Sequence, residues 1–361
     1  MVRFIHTADW QVGMRAVQVG SAAETVRRER LEAVRRILEV ARKRCADFLL
    51  VAGDVFEDNR VDRVLVQRLL DLLSRSPCPV YLLPGNHDPL VPGAVWDHRG
   101  FASPGNVTVL RRAAPVAAPG CVLYPCPVAS KESNQDPTGW IPREGAGLPR
   151  IGVAHGSVEG PNVSPWDHPI PRDAAERCGL DYLALGHWHS TGTFQDRTGA
   201  VRMAYSGTPE PTSFGERDSG NVLLVEVEAG SPPSIQVIPT GRLEWVRMEE
   251  TLLGPKSLEG LKGRLEALPE PGSTLIHLTL RGHMSPQCLD DLEAIRQVLE
   301  ARFLWHRIHE DPWEVDRSWI QLLPEGMLRE VALRLLDRGE DPAVRDRAVF
   351  EMYRILKEVR G

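Results

Sequence analysis

Polar side chains of the kinds that bind metal ions follow five short apolar runs between residues 9 and 189. They are Asp9 and Gln11 in HTADWQ, Asp54 in VAGDV, Asn86, His87 and Asp88 in PGNHD, His155 in VAHG, and His187 and His189 in LGHWHS. Oxygen and imidazole donors without thiolates suit Mn²⁺, Fe or Zn²⁺, and one carboxylate can be shared by two such ions. The pattern predicts a centre for a pair of divalent cations.

Each of these residues also has a structural explanation when it is considered alone. Asp54 could cap a turn or a helix, Asn86 could form a turn, and His155 could be a hydrogen-bonded core histidine. His187 and His189 could be a simple strand pair. A tetrapeptide such as G-N-H-D arises by chance in a chain of this length with a frequency on the order of a few in a thousand. The presence of all five motifs in order therefore favours a shared site.

The elements that must position these residues alternate between strands and helices, as in an α/β domain. Leu31, Val34, Leu38 and Ala41 recur at helical spacing, with arginines on the opposite side. Because strand carboxyl ends meet at one edge of such a sheet, we expect the polar side chains to meet in space. Pro-, Gly- and Ser-rich stretches predict long surface loops at 128–150 and 156–172. Apolar runs predict strands at 48–51, 80–83, 107–110, 151–154 and 182–185.

The chain beyond the Pro-rich junction at 231–241 has a different pattern. Helices are predicted at 257–268 and 287–302, with a strand at 274–280 between them, which indicates a small α+β domain. Two amphipathic helices follow, one around Met327 to Leu336 and one around Val344 to Val359. Packing on their own chain and docking on a partner protein are equally good explanations of these two helices.

Composition excludes several classes of protein. With 361 residues, 42% hydrophobic and 25% charged, the chain is typical of a globular protein of two domains, without an apolar run of membrane-spanning length. The net charge of −6 does not suit a domain that binds DNA through its overall basic composition. Six cysteines without a C-x-x-C pair predict reduced thiols, and the N-terminal MVRFIHTADW has no secretory pattern, so we expect a cytoplasmic protein.

The order of the motifs resembles that of the calcineurin-like metallophosphoesterases, whose pattern is D-x-H, G-D, G-N-H-D/E, H and G-H-x-H. HTADW, GDVF, PGNHD and the C-terminal extension are most similar to the SbcD nuclease family, bacterial relatives of the Mre nuclease of double-strand-break repair. The resemblance covers about residues 1 to 310. It implies an α/β/β/α sandwich with a small α+β capping domain and a C-terminal helical tail.

The resemblance also implies roles for the site residues. One metal would be bound by Asp9, Gln11, Asp54 and His189, and the other by Asp54, Asn86, His155 and His187. The metals would be Mn²⁺, with Mg²⁺, Fe or Zn²⁺ as alternatives, and a hydroxide between them would attack phosphorus. His87 corresponds to the catalytic histidine that protonates the leaving oxygen or stabilises the phosphorane, and Asp88 to a carboxylate that orients this corner.

Two residues depart from the family pattern. Gln11 stands where the family has His, and since an amide oxygen is a weaker ligand than imidazole for a transition metal, the first metal site should be the weaker one. Glu57 stands where relatives often have His or Asp. A place near the substrate phosphate and a solvated loop carboxylate are equally good interpretations of Glu57.

By resemblance, residues 1–240 would form the nuclease domain, 241–313 a DNA-binding capping domain and 314–361 a helical tail for docking on a partner. The implied function is a Mn²⁺-dependent DNA exonuclease and endonuclease in DNA repair, acting on double-stranded ends and hairpins. The implied partners are an SbcC-like ATPase, DNA and a second copy of the chain, with no membrane. Two alternatives stay open: a catalytically weakened DNA-binding or regulatory protein, and a different phosphodiesterase of the same fold.

Overall fold

The computed structural model describes residues 1–361 except 103–104, 146, 254, 285–287, 311–313, 316–319, 322, 338–340 and 361. The chain divides into two compact units, Met1–Leu243 (the N-terminal unit) and Glu244–Gly361 (the C-terminal unit). None of the helices within the described residues has the length and apolar character needed to cross a bilayer.

Two six-stranded sheets form the framework of the N-terminal unit. Their strands are β1 Val2–Thr7, β2 Phe48–Val51, β3 Val80–Leu82, β4 Val107–Val109, β5 Val116–Ala118, β6 Cys121–Cys126, β7 Arg150–His155, β8 Tyr182–Gly186, β9 Gly192–Gln195, β10 Val201–Tyr205, β11 Asn221–Val227 and β12 Ser234–Pro239. The strand order is β12-β11-β1-β2-β3-β4 in the first sheet and β5-β6-β7-β8-β10-β9 in the second.

Each sheet has four neighbouring parallel strands. In the first sheet β1 to β4 run parallel, while β11 and β12 are antiparallel additions at one side. In the second sheet β6, β7, β8 and β10 run parallel, while β5 and β9 are antiparallel edges. Because parallel strands end at the same edge of a sheet, the loops after them are brought together there.

The alternation of side chains along the strands separates two apolar layers. In β2, Phe48 and Leu50 point into the core between the two sheets, whereas Leu49 and Val51 point into the core beneath the helices. Aromatic rings join the sheets in the central layer, where Phe4 stacks on Phe48 with centroids 4.7 Å apart and meets Tyr182 of the second sheet edge-on at 5.9 Å.

Helices cover the outer faces of both sheets. Helices α1 (Ala23–Lys43) and α2 (Arg63–Leu73) contribute to the apolar core beneath the first sheet, and α2 begins at an Asp62 side chain that accepts hydrogen bonds from the backbone N–H groups of Val64 and Leu65. The short helix α3 (Ala174–Arg177) packs in the outer core of the second sheet. The predicted α/β/β/α sandwich is therefore confirmed.

The strands predicted from apolar runs are all present as β2, β3, β4, β7 and β8, with ends that differ by one residue or less. The Pro-rich stretch at 231–241, interpreted from the sequence as a junction, contains the edge strand β12. Edge position explains how a strand can end at Pro239, because β11 is the one strand that pairs with β12 in the described part of the chain.

In the C-terminal unit, three parallel strands, β13 Glu244–Leu252, β14 Thr274–Met284 and β15 Trp305–Glu310, form a sheet, and the short β16 (Glu314–Val315) also pairs with β14. The helices are α4 Pro255–Ala267, α5 Cys288–Arg302, α6 Met327–Asp337 and α7 Pro342–Arg360. Leu261 of α4, Ile295 of α5 and Leu278 of β14 belong to one buried core, which also includes Ala332 of α6 and Val349 of α7. The helices and the strand predicted for 257–302 are present.

Candidate metal centre

The polar side chains singled out in the sequence lie where strands of both sheets end. Asp9 and Gln11 follow β1, Asp54 follows β2, Asn86, His87 and Asp88 follow β3, His155 ends β7, and His187 and His189 follow β8. The first three strands belong to the first sheet and the last two to the second. The site is therefore built at an edge to which both sheets contribute.

Left-handed backbone geometry recurs at these strand ends. Asp9, Gln11, Asp54 and His187 have φ angles of 56°, 44°, 51° and 107°. Each such residue costs about 1–3 kcal/mol and persists only where its surroundings hold it in place. The loops after β1 and β2 hold each other, since Asp9 N–H donates to the Gly53 carbonyl at 3.0 Å and Gln11 N–H to the Asp54 carbonyl at 2.9 Å.

Two buried carboxylates and an imidazole form the centre of the site. One ligand atom of each of Asp9, Asp54 and His155 lies within 4.8 Å of the other two, and all three residues are buried. The Asp9 carboxylate accepts hydrogen bonds from the His187 backbone N–H at 3.0 and 3.1 Å. Burial raises the pKa of Asp9 above its ordinary value, although the nearby imidazoles oppose this shift.

Asp54 and His155 form a close pair, with Asp54 Oδ2 at 3.3 Å from His155 Nε2. Burial opposes the charged form of both groups, but their mutual attraction outweighs it, lowering the pKa of Asp54 and raising the pKa of His155. Two buried carboxylates around one imidazole leave an excess of negative charge, which a bound divalent cation would offset. The residues present therefore fit divalent metal ions.

The asparagine half of the centre comprises Asp54, Asn86, His155 and His187. Asn86 Oδ1 lies 2.8 Å from His155 Nε2 and 3.1 Å from His187 Nδ1. The other nitrogen of each ring is also engaged: His155 Nδ1 is 2.9 Å from the carbonyl of Ala52, and His187 Nε2 is 2.9 Å from Asp167 Oδ2. Donation of an N–H to each of these oxygens fixes the two rings so that the second nitrogen faces Asn86 and the site, where it can bind a metal after losing its proton.

The glutamine half of the centre comprises Asp9, Gln11, Asp54 and His189. His189 Nδ1 lies 2.9 Å from Glu216 Oε1 and 3.0 Å from Thr212 Oγ1. Donation from Nδ1 leaves Nε2 as an acceptor, and Gln11 Nε2 lies 3.1 Å from that atom. The Gln11 amide N–H can donate to it, whereas the opposite amide orientation would bring two acceptors together. The chain's own amide thus engages the nitrogen with which His189 would bind a metal.

His87 lies beside the carboxylates rather than among the donor atoms of either half. Its backbone N–H donates to Asp54 Oδ1 at 2.9 Å, and its Nδ1 donates to the carbonyl of Glu57 at 2.9 Å. The Nε2 atom is then the part of the ring left for a substrate. The Glu57 side chain is half-buried, and burial raises its pKa.

The Asp88 carboxylate accepts hydrogen bonds from backbone N–H groups and is not among the donor atoms of either half of the centre. One of its oxygens accepts a hydrogen bond from Phe56 N–H at 2.9 Å and the other from Gly85 N–H at 2.6 Å. Burial, together with the neighbouring Asp54 carboxylate, raises the pKa of Asp88. Asp88 therefore ties the loop after β2 to the loop after β3, which positions Asp54 and Asn86.

Sequence reasoning missed Asp167 and Glu216, the carboxylates that orient His187 and His189. The Asp167 carboxylate accepts from the His187 ring and from Ser157, and these hydrogen bonds lower its pKa to about 2 despite partial burial. Both residues stand in loops without a distinguishing local pattern. Only the three-dimensional structure reveals their partners.

Arg30 is a further residue that sequence reasoning missed. It lies on α1 among arginines expected to face solvent, yet it is buried and donates to the carbonyls of Trp10 (2.8 Å), Asp9 (3.2 Å) and Glu210 (3.1 Å) and to the Thr208 hydroxyl. Burial lowers its pKa. A guanidinium with several fixed donors holds the loop after β1 in position.

The family comparison agrees with this geometry. Residues 2–191 match the calcineurin-like phosphoesterase family, and the chain belongs to this family. Its members are metal-dependent phosphoester hydrolases, so the predicted enzyme class is confirmed. A divalent-metal site is supported, and the identity of the ion is a separate question.

Several curated proteins are similar to this chain. The uncharacterized metallophosphoesterase YhaO of Bacillus subtilis is 24% identical over 89% of this chain and 84% of its own length. The SbcD subunit of the nuclease SbcCD of Escherichia coli K12 is 28% identical over 65% of this chain and 67% of its own length. The SbcD subunit from Rhodobacter capsulatus is 28% identical over 64% of this chain and 68% of its own length.

Proposed function

We propose that this chain is a Mn²⁺-dependent DNA nuclease, the phosphodiester-cleaving subunit of a complex with an SbcC-like ATPase. The observation that carries the proposal is the convergence of side chains from both sheets, with His87 beside them; they are Asp9, Asp54, Asn86, His155 and His187. The nuclease part rests on the similarity to the SbcD subunits of SbcCD nucleases.

The residues divide the work of hydrolysis among themselves. Asp9, Asp54, Asn86, His155 and His187 would hold the cations, and His189 would join them when Gln11 releases its ring nitrogen. When bound, two divalent cations offset phosphate charge and lower the pKa of a water molecule.

His87 supplies the proton chemistry. With Nδ1 fixed by the Glu57 carbonyl, its Nε2 can donate a proton to the leaving oxygen or a hydrogen bond to the phosphoryl group. Asp88, Asp167, Glu216 and Arg30 keep these groups in position and exclude other rotamers. A proton donor held outside the metal ligands lets binding of the ions and proton transfer be changed independently.

Residues 241–313 would supply DNA contacts, and residues 314–361 would dock on the partner. Helices α6 and α7 carry exposed apolar side chains in addition to their buried ones, which supports docking on an ATPase or a similar protein. These are Met327, Leu328, Val331, Leu333, Val344, Ile355 and Val359. A homodimer belongs to the same proposal.

The test is cleavage of linear and hairpin-ended DNA by the purified chain across a Mn²⁺ titration, with Asp54→Ala as the blank. Bis-p-nitrophenyl phosphate is assayed in parallel. Cleavage of DNA that Asp54→Ala abolishes supports the proposal. Turnover of the small diester without DNA cleavage, with or without an SbcC-like partner, would instead favour a phosphodiesterase for another substrate.

A second candidate function is a DNA-binding protein with weakened catalysis, and the contact of Gln11 with His189 favours it specifically. Retarded migration of DNA ends in a gel, with no cleavage under Mn²⁺, Mg²⁺ or Zn²⁺, would support this candidate.

A further inference from the structure

Two exposed tryptophans stand beside the metal centre. Trp166 is 55% exposed and Trp188 is 50% exposed. No other Trp, Tyr or Phe side chain among the described residues is as exposed, and Trp10 and Trp96 are fully buried. Large aromatic surface in water is unfavourable, and it concentrates at recognition sites. The position of this exposed aromatic surface beside the metal centre indicates that it contacts a ligand of that centre.

Hydrogen bonds connect Trp188 to the proposed metal ligand His187, and Trp166 adjoins the same network in the sequence. Trp188 lies between His187 and His189 in the sequence, and its Nε1 donates to Ser157 Oγ at 3.1 Å. The Ser157 hydroxyl in turn donates to the Asp167 carboxylate, which accepts from His187 Nε2 at 2.9 Å. Trp166 immediately precedes Asp167. The Trp188 indole is thus held at its polar edge while half of its surface stays open.

The chemical groups that the Trp166 and Trp188 side chains could contact depend on the substrate bound at the metal centre. In a nucleic acid the groups next to any phosphodiester are the sugars and bases of the adjoining nucleotides, and every base offers an aromatic face. Stacking of a base on an aromatic side chain is sequence-tolerant and contributes strongly to binding of single strands. Bases within an intact duplex already stack on each other and are not free for such a contact.

We propose that Trp166 and Trp188 form a stacking site for unpaired bases next to the scissile phosphate, so that the enzyme favours single-stranded segments over intact duplex. This inference rests on the proposed nuclease function and names its substrate class.

The test compares two oligonucleotides that differ only beside one labelled linkage, which is flanked either by thymidines or by abasic residues. The wild type is expected to show a KM about 5- to 100-fold lower for the thymidine substrate, with similar kcat. Trp188→Ala should remove this difference, Trp166→Ala should reduce it, and Trp188→Phe should retain most of it. Val237→Ala, on an exposed position of edge strand β12, is the matched control and should behave as the wild type.

Binding is measured separately by quenching of tryptophan fluorescence with an oligothymidylate in Ca²⁺, and metal content is measured for every variant. Quenching that Trp188→Ala strongly reduces supports the stacking site even if no oligonucleotide is cleaved, in which case the nuclease proposal fails alone. Cleavage with equal KM for both substrates in all variants overturns the stacking site and leaves the nuclease proposal standing. If neither quenching nor cleavage is observed, both the stacking site and the nuclease proposal are overturned. Loss of self-association in Trp188→Ala, without a change in quenching, would assign the indoles to a second copy of the chain and overturn the inference.

Discussion

The asparagine half and the glutamine half of the centre share Asp54 but differ in how their imidazoles are used. In the asparagine half, His155 and His187 each donate one N–H to a fixed oxygen and turn the other nitrogen toward Asn86. In the glutamine half, His189 is oriented equally well, yet its remaining nitrogen contacts the amide of Gln11. Asn86 presents its oxygen, an atom that can itself bind a metal, to these imidazole nitrogens, whereas Gln11 presents its NH₂ group, which cannot. Orientation of an imidazole and availability of the ligand atoms around it are thus separate properties, and the chain provides both only in the asparagine half.

The largest expected effect comes from removing the residue that both halves share. Asp54→Asn should lower turnover of bis-p-nitrophenyl phosphate by about 10⁴-fold, because an amide cannot neutralise two cations and several kcal/mol of charge stabilisation are lost. The metal-free variant should melt at a lower temperature than the metal-free wild type, because the substitution removes the charged partner of the buried His155 imidazole. The release of p-nitrophenol measures turnover, and calorimetry measures the melting temperatures. Inductively coupled plasma mass spectrometry verifies that the melted samples are metal-free. Retention of a tenth of the wild-type activity would contradict a shared ligand.

The next effect separates proton chemistry from metal binding. His87→Ala should lower turnover about a hundred- to a thousandfold, as loss of a general acid does. The metals should stay, because the contact of residue 87 with Asp54 Oδ1 comes from its backbone N–H. Metal analysis after dialysis is the decisive measurement, and loss of either ion from His87→Ala would show that His87 is a ligand instead.

The sequence was most informative where local pattern and chemistry coincide. The strand at 48–51 was predicted at its observed bounds because all four of its residues are apolar, and the structure buries all four. The motif that follows it, with Asp54, was therefore placed correctly at the strand end. Asp9 and Asp54 were predicted to meet from the rule that parallel strands end at one edge of a sheet. His155 also meets them, but it comes from β7 of the second sheet, to which the rule for a single sheet does not extend.

The same reasoning failed for residues whose role depends on contacts distant in the sequence. Asp167 reaches His187 across 20 positions and Arg30 reaches the Glu210 carbonyl across 180. Neither stands in a local pattern that differs from an ordinary loop or a solvated helix face. Gln11 was marked in the sequence as a departure from the family pattern, but its contact with His189 required the folded chain.

A pair of matched substitutions tests whether the two halves bind metal independently. Asp167→Asn replaces the carboxylate that orients His187 by a neutral amide, and Glu216→Gln does the same to the carboxylate that orients His189. Changes of this kind lower metal affinity about 10- to 100-fold. We expect Asp167→Asn to weaken the tighter of two Mn²⁺ binding events in isothermal titration calorimetry and Glu216→Gln to weaken the looser one. Equal effects of both substitutions on both events would mean that the halves are not separate.

The smallest expected effect concerns Gln11 itself, and two substitutions there distinguish a weak ligand from an obstacle. Gln11→His supplies an imidazole and should lower the Mn²⁺ concentration for half-maximal activity about tenfold, because imidazole is the better transition-metal ligand. Gln11→Ala supplies no ligand at all, so its result depends only on the contact with His189. If the Gln11 amide chiefly engages His189 Nε2, as their 3.1 Å separation indicates, Gln11→Ala should also lower the Mn²⁺ requirement, though less than Gln11→His. A higher requirement in Gln11→Ala would mean that the amide oxygen turns to the metal when the ion arrives, and the two halves would then differ in ligand strength rather than in availability.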